Sequence, residues 1–164
     1  MREPHKTNAA RALEALGISF ELRSYVVDES DLSAPAVARK IGLPVEQVFK
    51  TLLTRGHSGA HLFAVVPGSV ELDLKKLAGV SGEKRVELAP LKDVEPLTGY
   101  IRGGVTVLAA RKAFPAYADE MLELYDVISV SAGQRGLQLL LSPADYLRAS
   151  GCTLADLSRA ATTA

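Results

Sequence analysis

Residues 49–66 read FKTLLTRGHSGAHLFAVV, two apolar runs separated by a turn-forming GHSGA. Each run is too short for a typical helix and is rich in Val, Leu, Phe and Thr, and the glycine-containing spacer fits a β-hairpin. Residues 129–141, SVSAGQRGLQLLL, repeat the arrangement with Gly133 and Gly136 around Gln134-Arg135. Two hairpins in one chain commit it to antiparallel pairing. What lies between them decides the class.

Short capped helices lie between and around them. Thr7 or Asn8 can open a helix that Gly17 stops, Ser33 one that Gly42 stops, and Asp73 one within LDLKKLAG. APLKDVEPLTG predicts a helix ended by Gly99, and Ser142-Pro143-Ala144-Asp145 a capped start for one ended by Gly151. LPVEQV reads as a helical turn, ADEMLEL as helical and TLADLSRAA as a final helix. ISFELRSYVV, KRVEL and GGVTVLA read as further strands. Strands joined by both hairpins and helices, without an internal repeat or linker, predict one mixed α/β domain over residues 1–164 rather than a doubly wound sheet.

Charge and cysteine content narrow the function. Lysine plus arginine equals aspartate plus glutamate at 19 each, so no global field draws nucleic acid or a membrane. Any RNA contact must come from a local patch or be assisted by a partner; the basic pairs Lys75-Lys76, Lys84-Arg85 and Arg111-Lys112 are candidates if they converge. A single cysteine, Cys152, gives no disulfide framework and no thiolate cluster for a metal. The charged start MREPHKTNAARALEALG lacks an apolar core, and no stretch is long enough to span a bilayer, so a cytoplasmic protein with no membrane association is expected.

Standard catalytic sets are scarce. His57 and His61 fall in the GHSGA hairpin rather than on one helix face, His5 stands apart, and no metal site is expected. There is no G-x-S-x-G elbow, and Cys152 reads as a packing residue. Arg102-Gly103-Gly104 and Gly133/Gly136 allow positive φ or close backbone approach, but match no dinucleotide or Walker fingerprint. Lys50 is the unusual charge, flanked by Phe49 and Thr51-Leu52-Leu53. It is either a snorkelling lysine on a solvated face or a cation held at a sheet surface against a phosphate or a polarised carbonyl.

Four segments in order, VFKTLL, LDLKKLAG, TGYIRGGV and VSAGQRGL, resemble the YbaK family of aminoacyl-tRNA deacylases, best its branch acting on Cys-tRNA(Pro). The resemblance runs from about Asn8 to Leu157. It implies a YbaK-like mixed α/β fold, a strongly bent sheet approaching a barrel surrounded by helices, with a pocket for the aminoacylated 3′ end of tRNA. It implies no cofactor, and it implies prolyl-tRNA synthetase as a partner. It makes Lys50 the functional lysine, with Gly103 and Gly104 supplying backbone donors to the developing oxyanion. It places Tyr25, Thr51, Ser131, Gly133, Arg135 and Gln138 at the substrate, Arg135 toward phosphate.

The chain departs from the family pattern in places. Ala132 and Gln134 stand where the turn has glycine and lysine, Val107 where a proline ends the glycine-pair segment, and Gln138 where the Cys-specific branch commonly has aspartate. These bear on which amino acid is removed. For a cysteinyl ester the resemblance implies attack by the substrate's own thiol. For an alanyl or seryl ester the same fold would use water, and a non-catalytic binding module would keep the pocket without turnover.

Overall fold

The computed structural model describes residues 6–161; His5 lies outside them. Within that range five α-helices and ten strands form, and the helix boundaries follow local chemistry. α1 (Asn8–Ala15) is capped by Thr7, whose hydroxyl accepts the Ala10 amide. α2 (Ala34–Ile41) is capped by Ser33 and ends on Gly42 at φ 76°, and a 3₁₀ turn, Val45–Gln47, follows. β2 (Phe49–Gly56) and β3 (His61–Pro67) form the first hairpin, with Lys50 opposite Val66. β4 (Val70–Leu72) leads into α3 (Leu74–Ser81), whose cap Asp73 accepts the amides of Lys75 and Lys76. β5 (Val86–Leu88) and α4 (Leu91–Thr98) come next.

The remainder carries the corrections. GGVTVLA is a run of turns, not a strand. ADEMLEL divides into the end of β6 (Ala116–Asp119) and a 3₁₀ helix, Glu120–Leu124, capped by Asp119. β7 (Ile128–Ser131) and β8 (Leu137–Leu141) form the second hairpin, to which β1 (Glu21–Ser24) adds antiparallel. α5 (Pro143–Ser150) starts at Ser142 and stops at Gly151. TLADLSRAA is not a helix but two strands, β9 (Thr153–Ala155) and β10 (Ser158–Ala160). β9 pairs with β6, β10 with β4, and the buried Asp119 carboxylate accepts the Leu157 amide at 2.9 Å. Pairing with strands distant in the same chain supplies the backbone partners that a helix would have found within itself.

The strands fall into three sheets, ordered β5-β2-β3-β6-β9, β1-β8-β7 and β10-β4. They do not close into a barrel. The five- and three-stranded sheets meet at a single parallel bridge, Val48 with Ser129. The fold is mixed α/β: β3-β6 and β6-β9 run parallel and the other pairs antiparallel.

The core divides on the two faces of β3. Phe63 and Val65 face one way, Val65 toward Leu13, Ile128, Val130, Leu139 and Tyr146. Leu62, Ala64 and Val66 face Leu72, Leu77, Val86 and Leu157. This two-sided burial explains why HLFAVV is continuously apolar rather than alternating.

Candidate active site

β5 pairs with β2 only from Thr54 to Gly56, and one further bond runs from the Ala89 amide to the Leu53 carbonyl at 3.0 Å. On the other side the pairing to β7 stops at Val48. Between these points the edge of β2 from Phe49 to Leu53 borders a cleft of about 570 Å³. Its walls are the start of α2 (Ser33 to Pro35), the turn at Arg102-Gly103, and an apolar shelf of Leu88, Leu91 and Val94; Ser131 and Gln138 close one end.

Lys50 is half-buried in this cleft. By strand alternation it lies on the same side of β2 as Leu52, which packs on the Leu72/Leu77 cluster, and it lines the cleft. Burial holds the ammonium's pKa below that of an ordinary lysine, and the charge of Glu71 acts in the opposite sense. Ser131 and Gln138 face each other across the β7-β8 ladder. The Ser131 oxygen accepts the Gly133 amide at 3.1 Å, which leaves its hydroxyl proton for a ligand. The Gln138 Oε1 accepts the Ser129 hydroxyl at 2.8 Å between two buried side chains, which turns its NH₂ away from Ser129.

Other expected residues hold the cleft's walls instead of lining it. Gly104 donates its amide to the Ile101 carbonyl at 2.8 Å, so that amide is engaged within its own turn and is not free for an oxyanion. A side chain at Gly104 would come within 2.9 Å of the Gln134 Cα, so the two turns touch backbone to backbone. Arg135 locks them together: its Nε donates to the Arg102 carbonyl at 2.8 Å and its Nη1 is 4.0 Å from Glu29. Its Nε thus acts as a structural clasp between the two turns. Gly133, at φ 99°, packs on the Tyr100 ring, whose hydroxyl donates to the Leu108 carbonyl at 2.6 Å. Tyr25 lies outside the cleft, packed on the α2 cluster with its ring 5.9 Å from the Lys40 ammonium. Gly103 does border the cleft, at φ 88°.

Thr51 contributes differently from its neighbour. Its hydroxyl is buried without a hydrogen-bond partner, as is that of Tyr146 on α5. Thr51, Ser150 and Cys152 stand near the Tyr146 hydroxyl, yet none meets hydrogen-bond geometry with it. Cys152 is packed beside Leu154 and Phe114, and burial pushes its thiol up, against its use as a nucleophile. Val107 is partly buried among core residues. Among the described residues no group of three or more His, Cys, Asp or Glu is placed to hold a metal. His57 is exposed in the hairpin turn, and His61 packs against Phe114 at 5.4 Å between ring centroids. Of the basic pairs, Lys76 is committed to Asp156 and the Ser158 carbonyl, while Lys84-Arg85 and Arg111-Lys112 are exposed.

Sequence reasoning placed a helix start at Ser33 but assigned neither it nor the Leu88/Leu91/Val94 shelf to the cleft. Leu88 and Leu91 are 55% and 62% exposed, a departure visible only once their neighbours are placed.

The fold and cleft define an aminoacyl-tRNA editing domain: the model of that family matches residues 29–149, and the chain belongs to it. Within the family the chain is 42% identical over 153 residues to EbsC of Enterococcus faecalis, provisionally named a Cys-tRNA(Pro)/Cys-tRNA(Cys) deacylase, covering 93% of each chain. It is 31% identical over 102 residues to ProXp-y of Escherichia coli K12, named a multifunctional Ser/Thr-tRNA deacylase, covering 62% of this chain and 61% of that one. Among solved structures it is similar to one described provisionally as a trans-editing enzyme for prolyl-tRNA synthetase. The TM-score is 0.82 at 28% identity, over 95% of this chain and 99% of that one. Among the described residues no helix is long and apolar enough to cross a membrane.

Proposed function

We propose that this chain is a trans-editing aminoacyl-tRNA deacylase that clears Cys-tRNA(Pro), with residues 1–164 acting as one unit in the cytoplasm. The observation that carries the reading is the convergence of Lys50, Gly103, Ser131 and Gln138 on one cleft whose described lining holds no cysteine and no histidine to serve as nucleophile or general base. An aminoacyl ester needs little activation, so positioning and oxyanion stabilisation suffice. The cysteinyl thiol attacks its own carbonyl carbon, the ester C–O bond breaks, and the thiol proton passes to the departing 3′ oxygen. The acyl group leaves as a cyclic thioester. Lys50 and the Gly103 amide meet the charge that develops on the carbonyl oxygen, and the Ser131 hydroxyl orients the acyl group. The tRNA 3′ end enters past the Leu88/Leu91 shelf, and prolyl-tRNA synthetase is the partner that presents it.

A second reading keeps the reaction class and changes the substrate: hydrolysis of alanyl or seryl esters by water. Gln138 in place of the carboxylate, and the similarity to ProXp-y, favour it. Release of amino acid from Cys-, Ala- and Ser-charged tRNA(Pro) by the wild type and Lys50→Ala separates the readings. Loss of the cysteinyl ester alone, abolished in the variant, supports substrate-assisted editing. Loss of the others instead overturns the specificity, and survival of all three at high enzyme concentration leaves a binding module.

A further inference from the structure

An aminoacyl ester on the 3′ oxygen of a terminal nucleoside has a permanent anion close by, the phosphodiester on the 5′ side of the same ribose. A site that receives this nucleotide has two points to meet with positive charge. One is the carbonyl oxygen, where charge develops; the other is the phosphate, which is charged throughout. Two of the residues lining the cleft are charged, Lys50 and Arg102. Their settings differ. Lys50 is half-buried on β2 and feels the carboxylate of Glu71. Arg102 is exposed, and its side chain makes no hydrogen bond or ion pair with another described residue. Ser131 and Gln138, each with acceptor and donor atoms, remain for the acyl group and its free α-amine.

The backbone beneath Arg102 is pinned although its side chain is not. Its carbonyl accepts the Arg135 Nε at 2.8 Å, and the preceding Ile101 carbonyl accepts the Gly104 amide at 2.8 Å. Gly103, next in the chain, also borders the cleft. A guanidinium carried on so fixed a turn starts from a defined point, and its planar fork suits two oxygens of one phosphate. Arg135, the other arginine of these turns, spends its Nε on the Arg102 carbonyl and is not among the lining residues.

We propose that Arg102 is a substrate-binding residue that holds the 5′ phosphodiester of the substrate's 3′-terminal nucleotide and so sets the ester between the Gly103 amide and Lys50. This rests on the deacylase reading and adds to it the anchor that fixes the nucleotide's register in the cleft. The phosphate is equally charged in the ground state and the transition state, so losing the anchor raises KM more than it lowers kcat.

The test uses 3′-O-aminoacyl adenosine with and without a 5′ phosphate, bearing whichever of cysteine, alanine or serine the wild type releases from tRNA(Pro). With the wild type the phosphorylated ester should have a kcat/KM about tenfold higher, carried by KM, as a charge-assisted hydrogen bond would give. Arg102→Ala should bring that ratio close to unity, and Arg102→Lys, which keeps the charge without the fork, should hold an intermediate one. Thermal melts establish that both variants fold. A wild-type ratio near unity overturns the proposal, as does a ratio that folded Arg102→Ala leaves unchanged. Where neither small ester is cleaved, calorimetric binding of 5′-AMP and of adenosine decides. A preference for 5′-AMP that disappears in Arg102→Ala upholds the anchor; equal binding, or a preference that survives the substitution, ends it. The deacylase reading stands or falls separately, on release of amino acid from charged tRNA(Pro) by the wild type.

Discussion

Lys50 sets activity against stability within one side chain. Because burial lowers its pKa in the folded state, the unfolded chain holds that proton more tightly. Below the folded-state pKa the buried ammonium therefore costs stability, and the cost is relieved as pH rises through that pKa toward the unfolded value. Lys50→Met should raise the melting temperature at neutral pH, with the gap to wild type narrowing in alkaline buffer. The same variant should lose about 10²–10³-fold in kcat, the usual effect of removing a group that stabilises an oxyanion. A melting temperature lowered by the substitution would mean that the ammonium has a stabilising partner strong enough to outweigh desolvation. At this scale the sequence was informative: Lys50, Ser131 and Gln138 all border the cleft, and the motifs that point to them are contiguous. Tyr25 packs on the α2 cluster, and the Gly104 amide and the Arg135 Nε are spent within the walls, since a motif locates a backbone segment but not the direction in which a hydrogen bond is spent.

Helices and hairpins follow local rules, and the turns between them do the less visible assembly. Each predicted cap at Ser33, Asp73 and Ser142 forms, because a hydroxyl or carboxylate needs only the amides two or three residues on. The strands β6, β9 and β10 were not legible, because their partners are remote in sequence and Leu154 and Leu157 suit a helix as well as a strand. The turn at Arg102–Gly104 is held against the turn at Ala132–Gly136 with almost no space between them. Gly104→Ala should cost about 1–3 kcal/mol by overpacking against the Gln134 backbone, measurable in denaturant titrations. Its effect on turnover should appear mainly in kcat, because the displaced wall carries the Gly103 amide that meets the developing oxyanion. An unchanged midpoint in denaturant would show that the contact relaxes freely.

For the molecule as a whole, the balance of 19 basic and 19 acidic residues limits its grip on RNA. Uncharged tRNA should bind weakly, with a shallow dependence of log affinity on log salt that reflects few phosphate contacts. Adding prolyl-tRNA synthetase should raise the apparent affinity; tight binding by the isolated chain in high salt would remove the need for that partner. The cleft's position could not be read from any one segment, since α2, β2, β5, the Arg102 turn and β7-β8 all contribute to it. The backbone contact between Gly104 and Gln134 also bears on how such a site can change. The constraint falls on position 104: any side chain there meets the Gln134 backbone whatever residue stands at 134, so it is admissible only if the facing turn withdraws, and withdrawal breaks the Arg135 clasp. A library meant to redirect specificity should therefore keep glycine at 104 while it varies the exposed position 134, because most changes at 104 would be eliminated for stability before any new preference could be seen.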